Sequence, residues 1–116
     1  MSSFETIGTY TYKEIMSQGE VWQKVLLNAE DQFEKVRDLM FRKHDEVIFI
    51  GCGSTYYLSL SAAKIWTALT NEPARGMPSS EAWIYGETNF SRNTPLLVAV
   101  SRSGETTETI NAINTF

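Results

Sequence analysis

The hydrophobic pattern of the chain changes character once, near residue 45. Before that point Val21, Trp22, Val25, Leu26, Ala29, Phe33, Val36 and Met40 recur at helical spacing on one face. Glu30, Asp31, Glu34, Lys35 and Asp38 occupy remaining positions, as a solvated face requires. The pattern predicts a long amphipathic helix from just after Gly19 to about residue 42. A short helix over residues 12–17 precedes it, opened by a capping box in which the Thr11 hydroxyl and the Glu14 carboxylate satisfy backbone N–H groups reciprocally. Gly19 is expected to separate the two, and residues 1–9 read as a lead-in arm. These helices read as packing partners and not as chemistry.

After His44-Asp45-Glu46 the period changes. Residues 47–50, Val-Ile-Phe-Ile, form a continuous apolar run of the kind a strand buried on both faces needs. A helix follows, with Tyr57, Leu58, Ser61, Ala62, Ile65, Trp66 and Leu69 as its packing face, and Asn71-Glu72-Pro73 ends it because proline cannot continue the ladder. Residues 74–77 form a weaker strand. Ser79 or Ser80 caps a brief helix through Tyr85, which Gly86 terminates, and residues 89–95 are turn-rich. Residues 96–100, Leu-Leu-Val-Ala-Val, are a second buried strand, and Ile110 and Ile113 set a final helix over 106–116. The order predicts a three-layer α-β-α fold of the α/β class with a parallel sheet and right-handed crossovers, preceded by N-terminal helices. The division falls between a helical segment, 1–45, and the sheet-bearing part, 46–116. A parallel sheet of this size is small, so the fold is expected to be incomplete, completed by further chain or by a partner.

Composition narrows the function classes. At 116 residues and 42% hydrophobic content the chain suits one globular unit, and a net charge of −4 with a pI near 4.9 argues against nucleic-acid and anionic-membrane surfaces. Its apolar runs fall far short of the roughly 20 residues that span a bilayer. The single cysteine, Cys52, excludes an internal disulfide, and no basic segment leads into an apolar signal core, so the expected compartment is the cytoplasm.

Two strand-to-helix loops carry the candidate chemistry: Gly51-Cys52-Gly53-Ser54-Thr55 and Ser101-Arg102-Ser103-Gly104-Glu105-Thr106. Each offers hydroxyls and free backbone N–H groups at a helix N-terminus, which suits an anion without any lysine. Gly51, Gly53 and Gly104 permit close backbone approach, and the Arg102 guanidinium can add a bidentate contact. Glu105 suits an anion site only if it points away or pairs with Arg102. Ordinary turns with serine caps would explain either loop alone; two on parallel strands favour a ligand. Gly51-Cys52-Gly53 also opens like a dinucleotide fingerprint, but Tyr56 stands where the third glycine belongs, which disfavours a nicotinamide cofactor. No cofactor is expected. Cys52 is a candidate nucleophile without an accompanying base, and packing or lining the site is the commoner role. His44, the one histidine, reads as exposed or as a helix C-terminal charge, and neither it nor Cys52 has a second ligand at metal-binding spacing. The tryptophans and Phe33, Phe41 and Phe49 read mostly as core, and Lys64 and Arg75 as surface cations.

These loops, together with residues 12–21, Tyr-Lys-Glu-Ile-Met-Ser-Gln-Gly-Glu-Val, resemble the sugar isomerase (SIS) family, in particular its isomerising aminotransferases and its stand-alone phosphosugar isomerases and deaminases. The resemblance covers nearly the whole chain. It implies that Thr55, Ser101, Arg102, Ser103 and Thr106 hold a phosphate, with Gly104 in the same loop and Cys52, Gly53 and Ser54 near the sugar. Arg102 departs from the family's usual glutamine, Ser54-Thr55 inverts the common threonine-serine order, and Gly19 replaces a usual proline. The resemblance further implies the N-terminal part of a longer protein with two sugar-isomerase lobes, whose glutamate base, histidine and lysine lie beyond this segment. Neither glutamine hydrolysis nor catalysis by this chain alone is expected. The implied ligand is a hexose 6-phosphate of the fructose or glucosamine class, and the implied assembly a homodimer. A non-catalytic sugar-phosphate sensor is the alternative, without the DNA-binding helix-turn-helix that such regulators commonly carry in front.

Overall fold

The computed structural model describes residues 8–90 and 94–116. Residues 1–7 of the arm expected over 1–9 and residues 91–93 of the turn-rich stretch 89–95 lie outside these residues, and Thr9 belongs to a helix and not to an arm. The chain divides into two compact units, Met1–Arg42 and Lys43–Phe116.

The first unit is one helix, α1 (Thr9–Met40), of 32 residues and about 48 Å at the usual rise. Gly19 does not interrupt it: one interior glycine costs about 1 kcal/mol against alanine, too little to break a run this long. The capping box does not form either. The helix starts one turn earlier, at a left-handed Gly8 (φ 90°) whose carbonyl accepts the Tyr12 N–H at 2.8 Å, so Thr11 is already inside the first turn. Along the exposed side Lys24 pairs with Glu20 at 2.7 Å and Arg37 with Glu34 at 2.9 Å, each about a helical turn apart. No residue of α1 is buried, Trp22 and Phe33 included, and Phe41 just past its end is exposed as well.

The second unit runs β1 (Glu46–Gly51), α2 (Ser54–Thr70), β2 (Ala74–Pro78), α3 (Ser79–Ile84), α4 (Gly86–Phe90), β3 (Pro95–Val100) and α5 (Thr107–Thr115). The three strands are parallel in the order β2-β1-β3, with Gly51 opposite Pro78 on one side and Val100 on the other. Central β1 is buried on both faces, as its unbroken apolar run predicts. Ile48 and Ile50 pack with Met77, Ala82 and Ala112 beneath α3 and α5, while Val47 and Phe49 pack with Ala63 beneath α2. Helices therefore cover both faces, and the three-layer α/β arrangement holds. Strand β3 is only half-buried, with Ala99 exposed. Its hydrophobic run predicted a fully buried strand; among the described residues it is paired on the β1 side only.

Helix α2 turns to the sheet a face that keeps only Ala62 and Trp66 of the one its hydropathy suggests. Ser59, Ala62, Ala63 and Trp66 face inward, whereas Tyr57, Leu58, Ile65 and Leu69 are exposed. Backbone proximity explains the choice. A Cβ on Gly76 would lie 2.8 Å from the backbone of Ser59 and Leu60, and one on Gly51 would overlap the backbone of Thr55. Only small side chains fit between a helix and strands that approach so closely. Trp66 fills the far end, edge-on to Phe49 at 6.2 Å, and donates its indole N–H to Glu72 at 3.1 Å. The helix ends at a left-handed Asn71 whose N–H returns to the Thr67 carbonyl, two residues ahead of Pro73.

Three further expectations are corrected. Gly86 starts the short helix α4 instead of merely ending α3. Arg75 is no free surface cation: its guanidinium donates to both Glu46 carboxylate oxygens at 3.0 and 3.3 Å and to the Asn89 carbonyl at 3.0 Å, tying β1, β2 and α4 together. The His44 side chain is only 11% exposed, with Nε2 3.5 Å from the Glu72 carboxylate.

Gly19→Ala is expected to stabilise α1 by about 0.5–1 kcal/mol, read as a rise in helical circular dichroism through a thermal scan. Gly51→Ala and Gly76→Ala are expected each to destabilise the sheet unit by about 1–3 kcal/mol or more, read by urea unfolding. A neutral Gly76→Ala would mean that α2 does not depend on this close approach.

Candidate functional site

Register brings the two loops together. Because Gly51 and Val100 are opposite one another in a parallel pair, residues 52–55 and 101–106 leave adjacent strands at the same carboxyl edge of the sheet. From β1 the chain crosses over α2 to β2 on one side; from β2 it passes through α3 and α4 to β3 on the other. The sheet thus reverses its strand order between β1 and β3, and such a switch point opens the crevice in which α/β sheets take ligands.

The first loop closes on its own backbone. The Thr55 hydroxyl accepts the Cys52 N–H at 2.9 Å and donates to the Cys52 carbonyl at 3.0 Å. Gly53, at φ 60° and ψ −124°, makes the turn into α2 in a conformation other residues rarely adopt. No side chain caps the helix at this point. Ser54 is exposed, and so is Cys52, whose thiol is at the rim of the loop and not in the core.

The second loop uses serines in a similar way. The Ser101 hydroxyl accepts the Gly104 N–H at 3.0 Å, and the Ser103 hydroxyl accepts the Glu105 N–H at 3.1 Å. The Ser103 hydroxyl, which has no other partner among the described residues, keeps its own proton for a further acceptor. Ser101 and Thr106 bring their oxygens within 3.4 Å of one another. Gly104 has φ 74°, which only a glycine takes without strain. Thr106 is the N-cap of α5 but makes no side-chain cap bond, so the first-turn N–H groups of α5 retain their positive potential. Arg102 and Glu105 are both exposed, and no ion pair joins them.

All nine residues singled out in the sequence, Cys52, Gly53, Ser54, Thr55, Ser101, Arg102, Ser103, Gly104 and Thr106, therefore belong to two neighbouring loops. What the arrangement offers is a set of hydroxyls, free amides and one guanidinium. It suits a compact anion. A pair just behind the loops escaped the sequence reading: Ser79 and Thr109, both buried, whose hydroxyls lie 3.0 Å apart between α3 and α5. Ser79 read as a possible cap, but the N-cap of α3 is Pro78. The available signal was Thr109 preceding Ala112 by three residues, a small polar residue on the inward face of α5. Among the described residues no His, Cys, Asp and Glu cluster could hold a metal ion, and no helix is long and apolar enough to cross a membrane.

Comparison with known proteins gives a consistent set of relatives. The chain is 30% identical over 112 residues to glutamine–fructose-6-phosphate aminotransferase (isomerizing) of Chlamydia caviae, covering 92% of this chain. It is 30% identical over 108 residues to the enzyme of the same name from Helicobacter pylori, covering 90% of this chain. The Mycolicibacterium smegmatis enzyme is 30% identical over 115 residues, covering 91%. The chain spans 18% of the length of each of these relatives. No family model matches the chain, and no solved structure matches it. The resemblance carried by the two loops thus extends along the chain: over nine tenths of its length it is similar to one segment of the isomerising glutamine–fructose-6-phosphate aminotransferases.

Proposed function

We propose that this chain supplies phosphosugar-binding loops of the sugar isomerase kind, taking a hexose 6-phosphate. The observation that carries the reading is the in-register pairing of β1 with β3, which leaves two hydroxyl-bearing loops at one sheet edge beside the uncapped start of α5. Fructose 6-phosphate, which the relatives' name gives as their substrate, joins a phosphate to a polyhydroxylated chain. That combination suits donors gathered at one point with further polar groups alongside.

In this reading the phosphate takes the hydroxyls of Ser101, Ser103 and Thr106 and the first amides of α5, with Gly104 allowing close approach. Arg102 closes over it as a bidentate donor, and Thr55 holds the rim of the first loop. Cys52, Gly53 and Ser54 lie along the sugar. A phosphate gripped in this way fixes the far end of the substrate and so orients its C1–C2 bond.

The reaction proposed for the whole protein is an aldose–ketose shift, with ammonia incorporated or released in an aminotransferase or deaminase. A proton moves between C1 and C2 through an enediol or enolamine, and the base that moves it must be within hydrogen-bond reach of the carbon. The proposal assigns that base outside these loops, which bind and orient. Assembly as a homodimer, with phosphosugar as ligand and no resident cofactor, belongs to the same reading.

Calorimetric titration with fructose 6-phosphate tests it. Removing the two hydroxyls of Ser103→Ala/Thr106→Ala is expected to weaken binding by at least about tenfold, since a hydrogen bond to a charged group contributes about 1.5–3 kcal/mol. Unchanged affinity in a folded double variant would remove the second loop from the site.

A further inference from the structure

We propose that Ser79 is the positioning residue of the phosphate loop, acting through Thr109. The inference rests on the function proposed above and adds a residue to it that touches no ligand. Helix α5 is nine residues long, and only Thr109 and Ala112 are buried along it. Ala112 packs on Ile48, Ile50, Met77 and Ala82, an apolar contact that resists separation but is indifferent to small slides and rotations. Thr109 is different. Its hydroxyl meets that of Ser79 at 3.0 Å with both side chains out of water, Ser79 fully and Thr109 at 3% exposure. A buried hydroxyl that loses its partner is destabilised, so this contact is directional and holds the first turn of α5, while Thr115 close against Gly86 and Phe116 edge-on to Phe90 hold its other end.

Location makes that constraint relevant to the site. Thr109 is one helical turn beyond Thr106, the N-cap that ends the second loop. Ser79 directly follows Pro78, which is opposite Gly51 in the sheet, and Gly51 opens the first loop. One hydrogen bond therefore references the start of α5 to the strand end beside the first loop. A rotation of α5 that breaks it would swing Thr106 and the first-turn amides away from Ser101 and from the first loop together. Binding by hydroxyls and amides in fixed directions is sensitive to such a shift in a way that a long flexible lysine would not be.

The full chain is compared as wild type, Ser79→Ala, Thr109→Val, the double variant and Thr109→Ser, which keeps the hydroxyl. Two readings are taken. One is the amide spectrum of residues 101–106 without ligand; the other is affinity for fructose 6-phosphate. Ser79→Ala and Thr109→Val are expected to shift the Gly104 and Glu105 amides and to weaken binding about three- to tenfold, with the double variant no worse than either. Thr109→Ser is expected to retain both properties. Ile48→Val, a core change that also lowers stability, is expected to leave the loop amides and the affinity unchanged. Loop amides that stay in place in folded Ser79→Ala would overturn the positioning role, whether or not the sugar phosphate binds. Loop amides that move in a chain whose wild type ignores fructose 6-phosphate would uphold the link from Ser79 to the loop and overturn the ligand reading instead.

Discussion

The close approach of α2 to the sheet is the constraint from which the rest of the second unit follows. Where Gly51 and Gly76 present bare Cα atoms, the helix backbone comes within the distance a Cβ would occupy. That contact determines which face of α2 is inward, limits it to Ser59, Ala62 and Ala63, and leaves Trp66 to fill the wider end against Phe49. It also determines where the first loop turns. Gly51 is both the last residue of β1 and the point at which the start of α2 bears on the strand, so residues 52–55 have to reverse direction in very little space. The Thr55 hydroxyl, bonded to the Cys52 N–H and carbonyl, is what that reversal looks like in hydrogen bonds.

Much of this was legible in the sequence, and the failures have a common physical origin. The run at 47–50 announced a strand covered on both sides, and it is one. The equally apolar run at 96–100 announced the same and, among the described residues, is paired on one side only, because hydrophobicity records what a strand can bury and not which neighbours are present. The face of α2 was misread for a related reason. Hydrophobic periodicity follows the bulky residues Tyr57, Leu58, Ile65 and Leu69, whereas close packing on glycines selects the smallest ones. The glycines that permit this packing, Gly51 and Gly76, lie on the strands, so the periodicity of α2 itself does not reveal them. Gly19 shows the opposite error, a local propensity given more weight than a long amphipathic run allows. Arg75 and His44 were misjudged because their partners, Glu46 and Glu72, lie 29 and 28 residues away in sequence.

The position of the two candidate loops was the most readable part. Loops that carry glycine and hydroxyl residues between strand and helix advertise themselves through composition, and parallel order alone sends them to one edge. What composition does not reveal is how the hydroxyls are used. Ser101, Ser103 and Thr55 serve the loops' own backbone, accepting N–H groups that the turns would otherwise leave unsatisfied. Ser103 retains its proton after doing so, while Ser101 and Thr106 share one hydroxyl contact, so one residue type can both shape a loop and keep a donor for a further acceptor. Thr55 has already given its proton to the Cys52 carbonyl, a division of labour between the loops: the first is braced, the second is open. The relatives are isomerising aminotransferases matched over a segment of 18% of their length, and binding and orienting is the role proposed for that segment.

The central claim is that both loops form one site. It is tested most directly by following the backbone amides of the full chain by NMR during titration with fructose 6-phosphate, with inorganic phosphate and NAD as comparisons. The account predicts that amides in 52–55 and 101–106 shift together along a single binding curve with the sugar phosphate, that inorganic phosphate moves chiefly 101–106, and that NAD moves neither. Shifts in only one loop under fructose 6-phosphate, or in neither, would contradict it.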